Sequence, residues 1–453
     1  MRVLVFLCAY YTCSVYGFLN PVFGILFFVH ITLFRPDNMV WGRQAFGPLH
    51  LITGVLILAG FLLRRHRVVA RKVFDPQWKN TAVFLLFLGA LLLSSAFTEF
   101  SSAAGYEQII NVAKIWMICF LFSCIIVEEE QFHAYVWVSI VSLGLLAAWG
   151  VEQGLRGNPR LDTLTVGGSN YLAAQLVLLA PVALAKACEA GVSRPARAVA
   201  WFCAVAMALC VVYSDSRGGF LGLVVAMVCF LWRGKARLGV WVGLGLACLL
   251  VVYMLPESYS QRISSIFVES SERDLSAQAR PVLWKIGLRV WQDHPIIGVG
   301  LENFSDAKET LSAKVDDLVT SREMYDHIFG VRRYTHGLYP GLLAETGILG
   351  TLLFLLLLFG NATCRFPKSF VDSVERKRLM IQVVAAQAGL LGFAVSALFG
   401  DFQYIELLYF QIFFVGAVRC YAGRIHQAAA ARDRMVMGTS REPVIVRSGH
   451  AAV

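Results

Sequence analysis

Charged residues are scarce in this 453-residue chain. Asp, Glu, Lys and Arg make up 15% of the sequence, against about a quarter in ordinary soluble domains, and the mean hydropathy is +0.63. Many apolar runs reach the roughly 17–25 residues that cross a bilayer. The shortage of charge therefore excludes an ordinary soluble protein. It predicts an all-α polytopic membrane protein with about 12–13 transmembrane helices and one large, partly helical loop.

Metal-binding and disulfide patterns are also missing from the sequence. The eleven cysteines lie in or beside apolar segments, as Cys8 and Cys203 do, and none has the spacing of a zinc site or a disulfide framework. The acidic pair Asp316-Asp317 has no partner at ligand spacing. We therefore expect no metal and no other cofactor.

The apolar segments divide the chain into spans. Asn20-Pro21 separates the first two into a short hairpin. The predicted spans are residues 2–17, 19–34, 46–63, 80–97, 106–127, 131–150, 169–187, 196–213, 217–232, 238–254, 338–360, 378–398 and 402–421. We expect N-terminal helices over 1–164, a catalytic core over 165–422 that includes the loop 255–337, and a mobile tail over 423–453.

The charge distribution predicts the orientation. Of the 40 basic and 30 acidic residues, the loop 255–335 holds ten and twelve, which leaves thirty and eighteen elsewhere. The basic clusters, such as Arg64–Arg67 and Arg376–Arg378, are separated by even numbers of spans, so all can face the cytoplasm. The loop then faces outward. The basic excess is topological and does not indicate a nucleic-acid partner.

The outer loop contains an amphipathic helix. Pro281 suits a first helical position, and Val282, Leu283, Ile286 and Val290 recur at helical spacing. We expect this helix to lie on the outer membrane surface, with Trp284 and Trp291 at the headgroup level.

Two outward-facing arginines form a predicted anion site. In Ser214-Asp-Ser-Arg217-Gly-Gly219 the side chains can cap a helix whose bare N-terminus, with Arg217, suits a phosphate. Arg280 lies on the same face, and Arg332 and Arg333 add to the positive field. A plain capped turn with Arg217 anchored to lipid phosphates is the alternative.

Three further outward-facing segments carry polar candidates. His336 stands where the chain re-enters the membrane and suits a general base, and Glu345, nine residues on, either pairs with an arginine or orients His336. Asn170, after a glycine pair, can bind a sugar or phosphate or merely cap a helix. Asp401 is a weaker candidate at the outer end of a span.

Several of these motifs occur together in one known superfamily. Ser216-Arg217-Gly-Gly, Arg280 with Trp284, the run 293–304 (DHPIIGVGLENF), His336 and the run 344–350 (AETGILG) resemble the bacterial O-antigen ligase and O-antigen polymerase superfamily. The resemblance covers roughly residues 165–400. It implies a metal-independent glycosyltransferase of the bacterial inner membrane with a periplasmic active site.

The resemblance also implies substrates and residue roles. The donor would be a glycan on undecaprenyl diphosphate and the acceptor a hydroxyl of lipid A–core, in lipopolysaccharide biosynthesis. Arg217 and Arg280 would hold the diphosphate and His336 would act as base, with inversion at the anomeric carbon. We expect substrate-binding roles for Asn170, Ser216, Trp284, Asn303, Arg333 and Glu345. Gly337 stands where the superfamily often has Asn, which puts any role of that Asn in doubt.

Other functions remain open from the sequence. An O-antigen polymerase would use the same residues on a different acceptor. Phe23-Gly, Arg35-Pro36 and Trp41-Gly42 also resemble a sub-branch associated with exosortase systems, whose members are proposed to ligate glycan to protein. A lipid-linked glycan transporter is a remote alternative, because no internal repeat is evident and the functional charges cluster at one face.

Overall fold

A computed structural model of the chain describes residues 2–36, 49–63, 78–100, 103–158, 161, 168–234, 275–310, 319, 321–330 and 334–439. Within these ranges the chain is helical and contains no strand, so the all-α prediction is confirmed. The helices are α1 (Arg2–Leu19), α2 (Pro21–Phe34), α3 (Leu49–Leu63), α4 (Trp78–Ala96), α5 (Ala103–Ile125), α6 (Glu129–Leu155), α7 (Gly168–Ala187), α8 (Arg194–Tyr213), α9 (Arg217–Arg233), α10 (Leu275–Asp293), α11 (Phe304–Thr310), α12 (Arg322–Phe329), α13 (Leu338–Ala362), α14 (Val374–Ser396) and α15 (Glu406–Thr439).

The helices match the predicted spans closely. Seven described helices are long and apolar enough to cross a membrane, namely α4–α8, α13 and α14, and α1–α3 are shorter apolar helices. The predicted span 238–254 lies outside the described residues, and each of the other twelve predicted segments overlaps a helix. Helix α15 continues to Thr439, into the segment expected to form a tail.

Small residues bring α9 into backbone contact with α14. A Cβ atom added to Gly222 would meet Oγ of Ser396 and the carbonyl oxygen of Gly392, so only hydrogen fits there. Ser396 donates a hydrogen bond from its hydroxyl to the Gly218 carbonyl at 3.1 Å. Close approach of small residues is the usual way in which helices associate within a bilayer. This contact fixes the N-terminus of α9, which begins at Arg217, beside the end of α14.

Helix α13 is broken in its middle. Gly347 has φ 60° and ψ −166°, a conformation that strongly favours glycine. The carbonyls of Ala344 and Glu345 cannot reach the N–H groups four residues on, as they would in a continuous helix. Instead they accept hydrogen bonds from the N–H groups of Val299 and Gly300, both at 2.9 Å.

The loop 294–301 also supplies the missing acceptors. Ile348 donates its N–H to the Pro295 carbonyl at 2.9 Å, and Leu349 donates to the Ile296 carbonyl at 3.2 Å. Four helix groups at the break are thus paired with four loop groups. Irregular backbone near membrane depth is tolerated only when it is satisfied in this way. The loop 294–301 and α13 therefore form one structural unit.

Helix α10 packs against protein. It begins at Leu275, so that Pro281 lies inside the helix and not at its first position as predicted. Leu283, Ile286 and Val290 are buried in a second hydrophobic cluster that also contains residues of α11, α12 and α13. The protein itself therefore covers this apolar face, and the position of α10 at the outer membrane surface stays a prediction.

Candidate active site

A short 3₁₀ turn, Ala397–Phe399, brings distant parts of the chain together. A Cβ atom on Gly218 would lie 2.8 Å from Cβ of Phe399, and one on Gly337 would lie 3.2 Å from the Leu398 carbonyl oxygen. Gly218 follows Arg217, and Gly337 follows His336. Both predicted functional side chains therefore belong to residues beside this turn, at one end of the helical bundle.

Asp401 holds the backbone at His336. Its carboxylate accepts hydrogen bonds from the His336 N–H at 3.0 Å, the Gly337 N–H at 3.3 Å and the Thr335 hydroxyl at 2.8 Å. It thereby binds the two residues that immediately precede α13 from a distant part of the chain. Burial raises the pKa of the Asp401 carboxyl, and these hydrogen bonds oppose the rise. The sequence marks Asp401 only weakly, and nothing in the local sequence of Thr335 indicates a role at the site.

His336 itself has a constrained backbone. Its φ is 51°, in the left-handed region that non-glycine residues seldom adopt. Such a conformation costs on the order of 1–2 kcal/mol and persists only where the surrounding contacts hold it. The hydrogen bonds to Asp401 stabilise this backbone conformation. The imidazole is half-buried, so it is partly accessible from the bundle end.

Arg217 is a half-buried cation at the first position of α9. Ser216 is buried and caps the helix, because its hydroxyl accepts the Gly219 N–H at 3.1 Å. The Arg217 side chain makes no hydrogen bond or ion pair with any residue in the described ranges. Its charge, next to the helix N-terminus, therefore remains available to an anion.

Two basic side chains at helix C-termini, by contrast, have protein partners. Arg233, at the C-terminus of α9, donates to the Gln387 side chain at 2.9 Å and to the Ala362 carbonyl at 3.1 Å. Lys186, at the C-terminus of α7, forms a buried ion pair with Glu189 at 3.0 Å. The contrast with Arg217 separates structural cations from one that has no structural partner in the described chain.

Arg280 and Trp284 approach the same place from α10. They are four residues apart and therefore share a helix face. A Cβ atom on Gly337 would lie 2.6 Å from Nε1 of Trp284, so the indole lies directly against this glycine. Arg280 is half-buried one turn earlier on the helix. Gly218 of α9 and Gly337 thus both contact the turn, and α10 joins them through the contact of Trp284 with Gly337.

The remaining predicted residues have other surroundings. Asn170 is exposed beside Tyr171, whose hydroxyl bonds the Tyr404 carbonyl at 3.3 Å, near Asp401 in sequence. Asn303 donates its side-chain amide to the Val299 carbonyl at 3.0 Å and to the Phe100 carbonyl, after α4, at 3.1 Å. Arg333 and Arg332 lie outside the described residues.

Glu345 lies beneath the loop. It is 5% exposed, and the backbone N–H groups of Glu302 and Phe304 interact with its carboxyl. Its carbonyl accepts the Ser94 hydroxyl at 2.6 Å. No arginine in the described ranges forms an ion pair with it, so the expected pairing is not seen there. A binding role for Glu345 stays a prediction, as it does for Ser216 and Asn303.

Two family models match the chain. Residues 202–355 match the O-antigen ligase family, and this range contains α9, α10 and His336. Residues 1–171 match a family of unknown function. No curated protein matches the chain. The resemblance predicted from the motifs is confirmed by the first of these matches.

Proposed function

Because residues 202–355 match the O-antigen ligase family, we propose that the chain transfers a glycan from undecaprenyl diphosphate to a hydroxyl of lipid A–core. The reaction takes place at the bundle end that carries Arg217, Arg280 and His336, on the periplasmic face of the bacterial inner membrane. The observation that carries this proposal is Arg217, a half-buried cation with no partner in the described chain, beside the turn that also borders Gly337.

The two arginines account for the leaving group. As the bond between the anomeric carbon and the phosphate oxygen breaks, that oxygen gains negative charge. Arg217, at a helix N-terminus, and Arg280, on α10, offer forked donors to the diphosphate from two directions. Fixed charges of this kind stabilise a transition state because they need no reorganisation. This chemistry needs only the residues already at the site.

His336 accounts for the incoming group. The acceptor oxygen forms a bond to the anomeric carbon, its proton passes to the His336 imidazole, and the electron pair of the broken bond leaves with undecaprenyl diphosphate. Attack opposite the leaving group inverts the configuration at the anomeric carbon. A general base of this kind contributes about 10²–10⁴-fold.

The test is transfer by purified full-length protein in a bilayer, with a glycan on undecaprenyl diphosphate and lipid A–core as substrates. Product mass and anomeric configuration are measured. Arg217→Ala, Arg280→Ala and His336→Ala should each reduce transfer at least 100-fold while the protein remains folded. Lys285→Ala is the matched control, because Lys285 is an exposed cation on the same helix as Arg280. Full activity in all three variants would refute the proposal.

The same preparation distinguishes the alternative acceptors. Extension of a second lipid-linked glycan instead of lipid A–core would identify a polymerase. Transfer to a serine- or threonine-containing polypeptide would identify a protein O-glycan ligase. Movement of the donor across the bilayer without bond formation would identify a transporter.

A further inference from the structure

The indole N–H of Trp284 is a buried donor at the site that has no partner in the described chain. Nε1 of Trp284 is inaccessible to solvent and donates to no described residue. Buried indole N–H groups usually find an acceptor, and leaving one unmade costs on the order of 1–3 kcal/mol. Trp291, two turns further along α10, follows the rule, because its Nε1 donates to the Pro295 carbonyl at 3.1 Å. Of these two indole N–H groups on α10, that of Trp284 is the one without an acceptor in the described chain.

The position of this donor depends on Gly337. The Trp284 indole can occupy its position only because residue 337 has no side chain. A Cβ atom on residue 337 would lie 2.6 Å from Nε1 of Trp284. The backbone itself does not require glycine, because φ is −162° and ψ is 123°, an extended conformation open to any residue. Glycine at 337 therefore serves the close approach of Trp284.

The donor lies against Gly337, the residue that follows the proposed base. Gly337 immediately follows His336, and both N–H groups are held by Asp401. An uncharged N–H suits a neutral oxygen, whereas the diphosphate is matched by the arginines. A hydroxyl has one proton to give and two lone pairs. With the proton directed to His336 and one lone pair to Trp284, the other lone pair is left for the anomeric carbon.

We propose that Trp284 Nε1–H binds the acceptor hydroxyl oxygen and orients it between His336 and the anomeric carbon. This inference rests on the proposed transferase function. It adds an acceptor-binding group to a site whose other named groups serve the donor or the proton. Gly337 is the position that makes room for it.

The experiment is steady-state transfer by the full-length protein in nanodiscs, with the acceptor and donor concentrations varied separately. The donor is a glycan on undecaprenyl diphosphate, and the acceptors are lipid A–core, a second lipid-linked glycan and a serine-containing peptide. Trp284→Phe keeps an aromatic ring and removes the N–H. Gly337→Ala keeps Trp284 and displaces its N–H. Trp291→Phe is the matched control.

Loss of one neutral hydrogen bond corresponds to about a twofold to tenfold effect. We expect Trp284→Phe and Gly337→Ala each to raise the acceptor KM by about that factor, with the donor KM unchanged. Trp291→Phe should leave both constants unchanged. If Trp284→Phe does not fold, Gly337→Ala decides the question, because its indole is intact.

An unchanged acceptor KM in the folded variants overturns the inference and leaves the proposed function standing. An equal rise in the donor KM also overturns it, because that result describes a general distortion of the site. If the wild-type protein transfers glycan to none of the three acceptors, the proposed function fails, and this inference fails with it.

Discussion

Removal of the Asp401 carboxylate should impair the site without removing any group that we assign to the chemistry. In Asp401→Ala, the N–H groups of His336 and Gly337 lose their acceptor. The Thr335 hydroxyl is less affected, because the Gly337 carbonyl oxygen lies 2.8 Å from it and can accept its proton. Two backbone donors at the start of α13 are therefore left unsatisfied.

The free-energy cost of Asp401→Ala follows from the hydrogen bonds that these two N–H donors lose. Each of these net hydrogen bonds contributes about 1 kcal/mol, so loss of both costs about 2 kcal/mol. The left-handed conformation of His336 is itself unfavourable by on the order of 1–2 kcal/mol, so the backbone has a lower-energy alternative once it is released. A shift of about 2–3 kcal/mol lowers the equilibrium ratio of the held to the released conformation about 30- to 150-fold.

The assay is glycan transfer at saturating donor and acceptor, together with thermal unfolding of the same preparation. We expect kcat to fall at least tenfold in Asp401→Ala, with the helix content of the variant unchanged. Asp372→Ala is the control, since Asp372 is an exposed carboxylate in the connection that precedes α14. A wild-type kcat in folded Asp401→Ala would show that His336 does not depend on this contact.

Two further perturbations test the surroundings of the site. Gly347→Ala should lower the midpoint of thermal unfolding and expose the loop 294–301 to protease, because a Cβ at residue 347 meets the Ile296 backbone. The substitution therefore opposes the four hydrogen bonds between this loop and α13, which together contribute on the order of 4 kcal/mol. An unchanged midpoint would contradict this prediction. Burial raises the pKa of Asp401, so the folded state binds that proton more tightly than the unfolded state does. The stability linked to the proton is present below the ordinary value near 4 and is lost as the pH rises through the raised value. Unfolding midpoints between pH 4 and 7 should therefore fall with pH more steeply for the wild type than for Asp401→Asn, and equal slopes would refute the assignment.

The sequence predicts the helices well because each span must satisfy its own backbone hydrogen bonds in a bilayer. That requirement makes a long apolar run almost sufficient evidence for a helix, as α6 and α14 illustrate. The same requirement does not predict the break at Gly347, where the backbone hydrogen bonds are made with the loop 294–301, about 50 positions earlier in the chain. Pro281 also does not mark the first position of α10, because the helix begins at Leu275 and Pro281 lies inside it.

The candidate site was predictable where a motif carries its own chemistry. Arg217 follows a capping serine and precedes two glycines, and the structure gives it a helix N-terminus with no described partner. Asp401 carries no such local pattern. Its importance appears only when the turn after α14 meets the segment before α13, a contact between residues 64 to 66 positions apart.

The position of His336 therefore depends on three chain segments that no local pattern connects. Asp401 holds its backbone from the turn after α14, and the Trp284 indole packs against Gly337 from α10. The loop 294–301 pairs with the broken middle of α13, the helix that begins directly after this segment. Because the loop is occupied by these backbone hydrogen bonds, substitutions in it should affect transfer through the placement of α13, whereas substitution of Arg217 should act on the donor directly.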